Sequence, residues 1–184
     1  MLRQVGLVDE SNDKIVEVGL TRLMNITMDW IFSVVCAAIM GNMWVGIVFE
    51  ISYALLRIYA GGYHAKNKKS CFYLTYISTL LCIISAFFVP FSIWLIVGLT
   101  MVSMVIFIKL VPVQSENKPL NRVEVKIYRR NALCIAFGEV LLLVCFLLSK
   151  KNQCANVICA TFVLVAIGLI AGAKNQKSSL YHLH

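Results

Sequence analysis

The sequence has little charge and no polar stretch long enough to form a soluble domain. Only 14% of its 184 residues are charged, whereas 60% are hydrophobic and the mean hydropathy is +0.81. The longest polar stretches are residues 1–27 and about 113–130, and neither could bury a core of its own. This composition excludes an ordinary soluble protein and predicts one all-α membrane domain over residues 1–184.

The sequence also lacks a CxxC pair and an apolar N-terminal run. Its seven cysteines are an odd set that lies mostly in apolar segments, where a thiol behaves as a small hydrophobe, so we expect no disulfide framework. The first 20 residues carry four acidic side chains and no long apolar core, which argues against a cleaved signal peptide. The net charge is +8, and the basic residues lie between apolar runs. This pattern indicates membrane topology rather than nucleic-acid binding.

Long apolar runs fill most of the chain. The interval from 24 to 60 is interrupted by Gly41-Asn42 and by Gly46, so it predicts either two short crossings or one long tilted helix. Residues 14–26 have helical apolar spacing and form either a surface helix or the first turns of the first span. Four further spans of membrane-crossing length are about 72–90, 93–112, 131–149 and 154–173.

The distribution of basic residues favours six crossings. In that arrangement 15 of the 17 Lys and Arg residues lie on the side that holds both termini and the loops 57–70 and 109–130. Only Lys150 and Lys151 lie opposite, so the positive-inside rule makes the crowded side cytoplasmic in a multi-pass protein of the cell membrane. A single crossing before residue 60 would instead place the N-terminus outside.

One polar loop, residues 57–71, concentrates the reactive side chains. His64 and Cys71 stand seven residues apart, and on a continuous helix they would be separated by a rise of about 10.5 Å, too far for direct proton transfer. The chain must therefore bend if they are partners, and Gly61-Gly62 can supply the bend.

Ser70 is predicted to be the N-cap of the next helix, which would make Cys71 its first residue. The helix dipole and the nearby lysines would then favour the thiolate, and His64 could carry the proton.

Spacing alone does not establish this site. A lone His-x6-Cys is more often incidental, with the lysines of the loop serving only to set topology. A metal site is weaker still, because His182, His184 and one cysteine form no recognisable zinc spacing. We expect no metal and no organic cofactor.

The same loop resembles a known family. Arg57, Gly61-Gly62, His64 and Cys71 match the signature of the accessory gene regulator B (AgrB) family of membrane endopeptidases. The polar N-terminal lead, the apolar spans and Lys118-Pro119-Leu120 are also similar to that family. The resemblance implies that His64 is the base and Cys71 the nucleophile, with Arg57 and the two glycines shaping the site.

The resemblance further implies a substrate and a mechanism. An AgrD-like precursor peptide would be cleaved through a thioester on Cys71 and closed into a thiolactone or lactone, and a homodimer is compatible with the family. Lys118, beside Pro119, would hold the acidic end of the precursor, unless the basic loop 113–130 serves topology alone. No third catalytic residue is marked: Thr75 lies one turn beyond Cys71, but a threonine in an apolar helix usually bonds its own backbone.

A function from another class stays open. A non-catalytic membrane transport or accessory protein would share the hydropathy and the charge pattern. Such a protein would more often carry ionisable residues deep in its spans. Glu50 and Glu139 are the candidates that the sequence offers, each within three turns of a span end.

Overall fold

The computed structural model describes residues 13–62, 68–89, 92–113 and 121–181. Within these ranges each of six helices is long and apolar enough to cross a membrane. An all-α, multi-pass membrane fold is therefore confirmed. The helices are α1 (Asp13–Ile39), α2 (Met43–Ala60), α3 (Lys68–Phe88), α4 (Ile93–Leu110), α5 (Arg122–Leu148) and α6 (Asn152–Tyr181).

The apolar interval before residue 60 forms two crossings. The break falls at Gly41, whose φ of 100° is a backbone conformation that glycine adopts freely. Asn42 then caps α2, because its side-chain oxygen accepts the backbone N–H of Trp44 at 3.2 Å. Residues 14–26 belong to the continuous helix α1 and form the first turns of the first span.

Two predicted boundaries were wrong. The span expected from 131 begins at Arg122, so much of the predicted basic loop is helix. A capping box explains the earlier start: Asn121 accepts the Arg122 N–H at 2.7 Å, and Glu124 accepts the Asn121 N–H at 2.8 Å. Ser70 is not an N-cap, because α3 begins at Lys68. Lysine is a good helix former, which allows the helix to start one turn before the apolar run.

Helix α6 lies at the centre of the bundle and packs against α2, α3, α4 and α5, while α1 packs against α2 and α3. Phe162 on α6 and Phe107 on α4 are fully buried, with ring centroids 5.6 Å apart. Large apolar side chains also cover the outer surface, including Trp94 on α4 and Leu148 on α5. An apolar exterior of this extent is suited to lipid rather than water.

Candidate functional site

The described residues of the predicted site lie at one end of the bundle. Helices α2 and α4 end there, and α3 and α5 begin there. Arg57, Gly61 and Gly62 are at the C-terminal end of α2, and Cys71 is in the first turn of α3. The predictions for His64, Lys118 and Pro119 fall outside the described residues.

The two glycines after α2 make the predicted bend. Gly61 has φ 73° and ends the helix by donating its N–H to the Arg57 carbonyl at 3.2 Å, and Gly62 follows with φ 129°. Other residues adopt these conformations only with strain. A Cβ at Gly61 would also overlap the backbone carbonyl oxygen of Val113. Glycine is therefore required at Gly61 by both conformation and space.

This bend is joined to the end of α4. The Val113 N–H donates to the Ala60 carbonyl at 3.0 Å, and Gly61 and Val113 form an isolated parallel β-bridge. The chain segments that follow Gly62 and Val113 therefore start from neighbouring backbone positions. No sequence pattern predicted this contact, which joins the end of α2 to the residues that follow α4.

Arg57 holds the bend from inside. Its Nη1 donates to the Gly61 carbonyl at 2.9 Å, and a Cβ at Gly62 would overlap the same nitrogen. A Cβ at Gly168 on α6 would lie 3.3 Å from it. The guanidinium thus fits between the glycine turn and a glycine of the central helix, where its charge strengthens the hydrogen bond to the turn. This geometry fits the shaping role that the family resemblance implies, and that role stays a prediction.

Cys71 is partly exposed. The Thr75 hydroxyl donates to the Cys71 carbonyl at 3.0 Å, so Thr75 bonds its own helix as expected. Sequence reasoning missed Tyr53, whose phenol lies close enough to both Arg57 and Cys71 to interact with them electrostatically. The available signal was its position one helical turn before Arg57 on α2.

The basic side chains of the first turns of α5 are exposed at the same end. One of them has a structural contact that the sequence did not predict: the Arg129 guanidinium donates to the Ile108 carbonyl at 3.1 Å. A cation at the last carbonyls of α4 is favourable for the helix dipole. Tyr59 and Tyr128 add an aromatic contact between α2 and α5, with centroids 5.8 Å apart. The exposed basic residues of α5 are Arg122, Lys126, Arg129 and Arg130.

Ionisable residues also lie within the spans. Glu50 and Glu139 are 3% and 5% exposed, and the Ser52 hydroxyl donates to Glu139 Oε2 at 2.7 Å. Sequence reasoning missed a third carboxyl group, Asp29, inside the first span. The described part of the chain contains no group of three or more His, Cys, Asp or Glu side chains that could hold a metal ion.

The fold and this site define a multi-pass membrane protein with a partly exposed cysteine at one end of its helix bundle. The model of the family Accessory gene regulator B matches residues 1–169. The chain therefore belongs to this family. Its membership in the family implies a role in processing the autoinducing peptide. No curated protein and no solved structure matches the chain.

Proposed function

We propose that this protein is a membrane cysteine endopeptidase that cleaves the C-terminal part of an AgrD-type precursor and supports closure of the remaining peptide into a ring. The observation that carries the proposal is the family match, which spans 1–169 and so includes the Arg57, Gly61-Gly62, His64 and Cys71 pattern. The partly exposed position of Cys71, at the same end of the bundle as the glycine turn, supports it.

Cys71 is the nucleophile and His64 the base in this proposal. His64 follows Gly62 by two residues, which limits the distance between their Cα atoms to about 7 Å. Gly62 follows the C-terminal end of α2, at the end of the bundle where Cys71 lies in the first turn of α3.

The chemistry proceeds by two acyl transfers. His64 takes the thiol proton of Cys71, the thiolate attacks the scissile carbonyl, and the C–N bond breaks as His64 returns the proton to the leaving amine. A thiol or hydroxyl of the bound peptide then loses its proton to His64 and attacks the thioester. The bond to Cys71 breaks, a thiolactone or lactone forms, and the Cys71 thiolate recovers the proton. No metal or cofactor takes part.

The second transfer exchanges one thioester for another at little cost, whereas the first converts an amide into a thioester and is uphill. The acyl-enzyme must therefore be shielded from water, and the released fragment must leave. A site at the edge of the bilayer favours exclusion of water. The surrounding Lys and Arg residues favour the cytoplasmic side and an acidic C-terminal fragment, which Lys118 beside Pro119 would hold.

The alternative, a non-catalytic transport or accessory protein, predicts ionisable residues deep in the spans, and such residues are present. Glu139 has a hydroxyl partner in Ser52, which accounts for it as a structural contact between α5 and α2. The family membership favours peptide processing, and the other buried carboxyl groups are compatible with a processing enzyme.

Mass spectrometry of an AgrD-type precursor co-expressed with the protein tests the proposal. Wild type should release the C-terminal fragment, Cys71→Ala should release none, and Cys36→Ala should behave as wild type. Cys36 is a matched control because it is also partly exposed but lies on α1. A covalent adduct on Cys71 should be lost in hydroxylamine. Normal processing by Cys71→Ala would overturn the proposal.

A further inference from the structure

A pair of carboxyl groups lies in the membrane-spanning part of the bundle, outside the site described above. Helices α1 and α2 are antiparallel neighbours, and they approach closely at Gly46, where a Cβ would lie 2.6 Å from the Ser33 carbonyl oxygen. Counting one helical turn from this contact along each helix leads to Glu50 on α2 and Asp29 on α1. The two acids therefore face each other across the same interface.

Hydroxyl groups complete the cluster. Thr79 on α3 donates its hydroxyl to Asp29 Oδ1 at 3.4 Å, and the Ser33 hydroxyl donates to the Trp30 carbonyl at 3.2 Å, so its oxygen can act only as an acceptor. Ser33 and Thr79 are buried to 0% and 1% exposure. Side-chain oxygen atoms from α1, α2 and α3 thus form one cluster. None of the residues named here offers a nitrogen or sulfur ligand.

One carboxyl oxygen of the pair has no hydrogen-bond partner. Glu50 is 3% exposed, and its Oε1 has no hydrogen-bond partner. The Asp29 carboxyl is close enough to act on Glu50 electrostatically, and it repels a negative charge there. Two ionised carboxylates at membrane depth would be very costly without a counter-charge. Such an oxygen can accept a hydrogen bond or bind a cation.

We propose that Asp29 and Glu50, together with the Ser33 and Thr79 hydroxyls, form an intramembrane site for one monovalent cation, either a proton or Na⁺. Either ion binds to oxygen atoms and cancels one of the two negative charges of the ionised pair. Oxygen donors suit a hard cation. A cation bound here would hold α1, α2 and α3 together beneath Cys71. The proposed site therefore goes beyond the activity proposed above.

Other titratable and charged groups lie on the helices that neighbour Asp29 and Glu50. On α2 the Tyr53 phenol is in electrostatic reach of Glu50, Asp29 and Arg57, and on α3 the Tyr76 phenol is in reach of both acids. On α5 Glu139 is held by Ser52, and on α6 Cys154 lies in an apolar cluster with Phe49. Glu139 is therefore a matched control, since it is a buried glutamate with a partner outside the cluster.

Thermal unfolding of the purified full-length protein in detergent tests the site, with two arms. In the first arm the midpoint is measured at constant pH as NaCl replaces choline chloride. In the second arm it is measured in sodium-free choline chloride as the pH is lowered. A cation bound only by the folded form raises the midpoint by about 3–6 °C at ten times its dissociation constant. The first arm detects Na⁺, and the second detects a proton.

Variants show which carboxyl groups cause the response to the cation. Glu50→Gln should lose the response that wild type shows in one of the two arms, and Glu139→Gln should keep it. Asp29→Asn gives a second test if Glu50→Gln does not fold, and it should also reduce the response. Equal responses of wild type, Glu50→Gln and Asp29→Asn to both Na⁺ and pH would overturn the proposal.

Discussion

Gly61→Ala tests whether the glycine turn holds the candidate site together. An alanine at φ 73° costs about 1–3 kcal/mol of backbone strain. Its Cβ would also overlap the Val113 carbonyl, so the end of α4 must move and the Val113–Ala60 hydrogen bond is weakened, which costs about 0.5–1.5 kcal/mol more. The sum of about 1.5–4.5 kcal/mol corresponds to roughly a 10- to 2000-fold loss of the intact turn.

The assay is precursor cleavage in membranes, measured at matched protein levels together with the unfolding temperature in detergent. We expect cleavage by Gly61→Ala to fall at least ten-fold, whereas Gly98→Ala should cleave normally because its Cβ meets no atom within 4 Å. The reasoning would be refuted if Gly61→Ala cleaved the precursor at the wild-type rate and unfolded at the wild-type temperature.

Three further predictions concern helix packing, docking and topology. Gly46→Ala should destabilise the protein by about 1–3 kcal/mol, since its Cβ would press on the Ser33 carbonyl, whereas Gly19→Ala should not; equal unfolding temperatures would contradict this. Lys118→Ala should reduce precursor cleavage, with partial recovery at low salt, and cleavage that stays at the wild-type rate would leave topology as its only role. A cysteine placed at Asn152 should react with an impermeant reagent outside cells while one at Lys118 should not, and the reverse result would invert the orientation.

Much of the fold was predictable because membrane helices are strongly constrained by length and composition. A run of about 20 apolar residues must be helical to satisfy its backbone in lipid, so the spans after residue 71 were evident from the sequence. The helix ends were less predictable. Asn121 and Glu124 start α5 well inside a stretch that was predicted to be a loop, because a capping box acts locally and hydropathy does not register it.

The candidate site was also predictable only in part. His64 and Cys71 were proposed from the sequence, because their spacing beside two glycines matches a family pattern that is local in the chain. The contact between Gly61 and Val113 was not, since the two residues are far apart in sequence and meet only when α2 and α4 end at the same level. Tyr53 was missed for the same reason: only packing places its phenol near both Arg57 and Cys71.

The sequence by itself determined that this chain is a multi-pass membrane protein, that a histidine and a cysteine stand seven residues apart in a polar segment, and which family it belongs to. These properties depend on composition and on residues that are close in the chain. Only the tertiary structure decided that Asp29 and Glu50 face each other, because that pairing depends on how closely Gly46 lets α1 and α2 approach. Interactions between helices are set by packing, which a linear pattern does not encode.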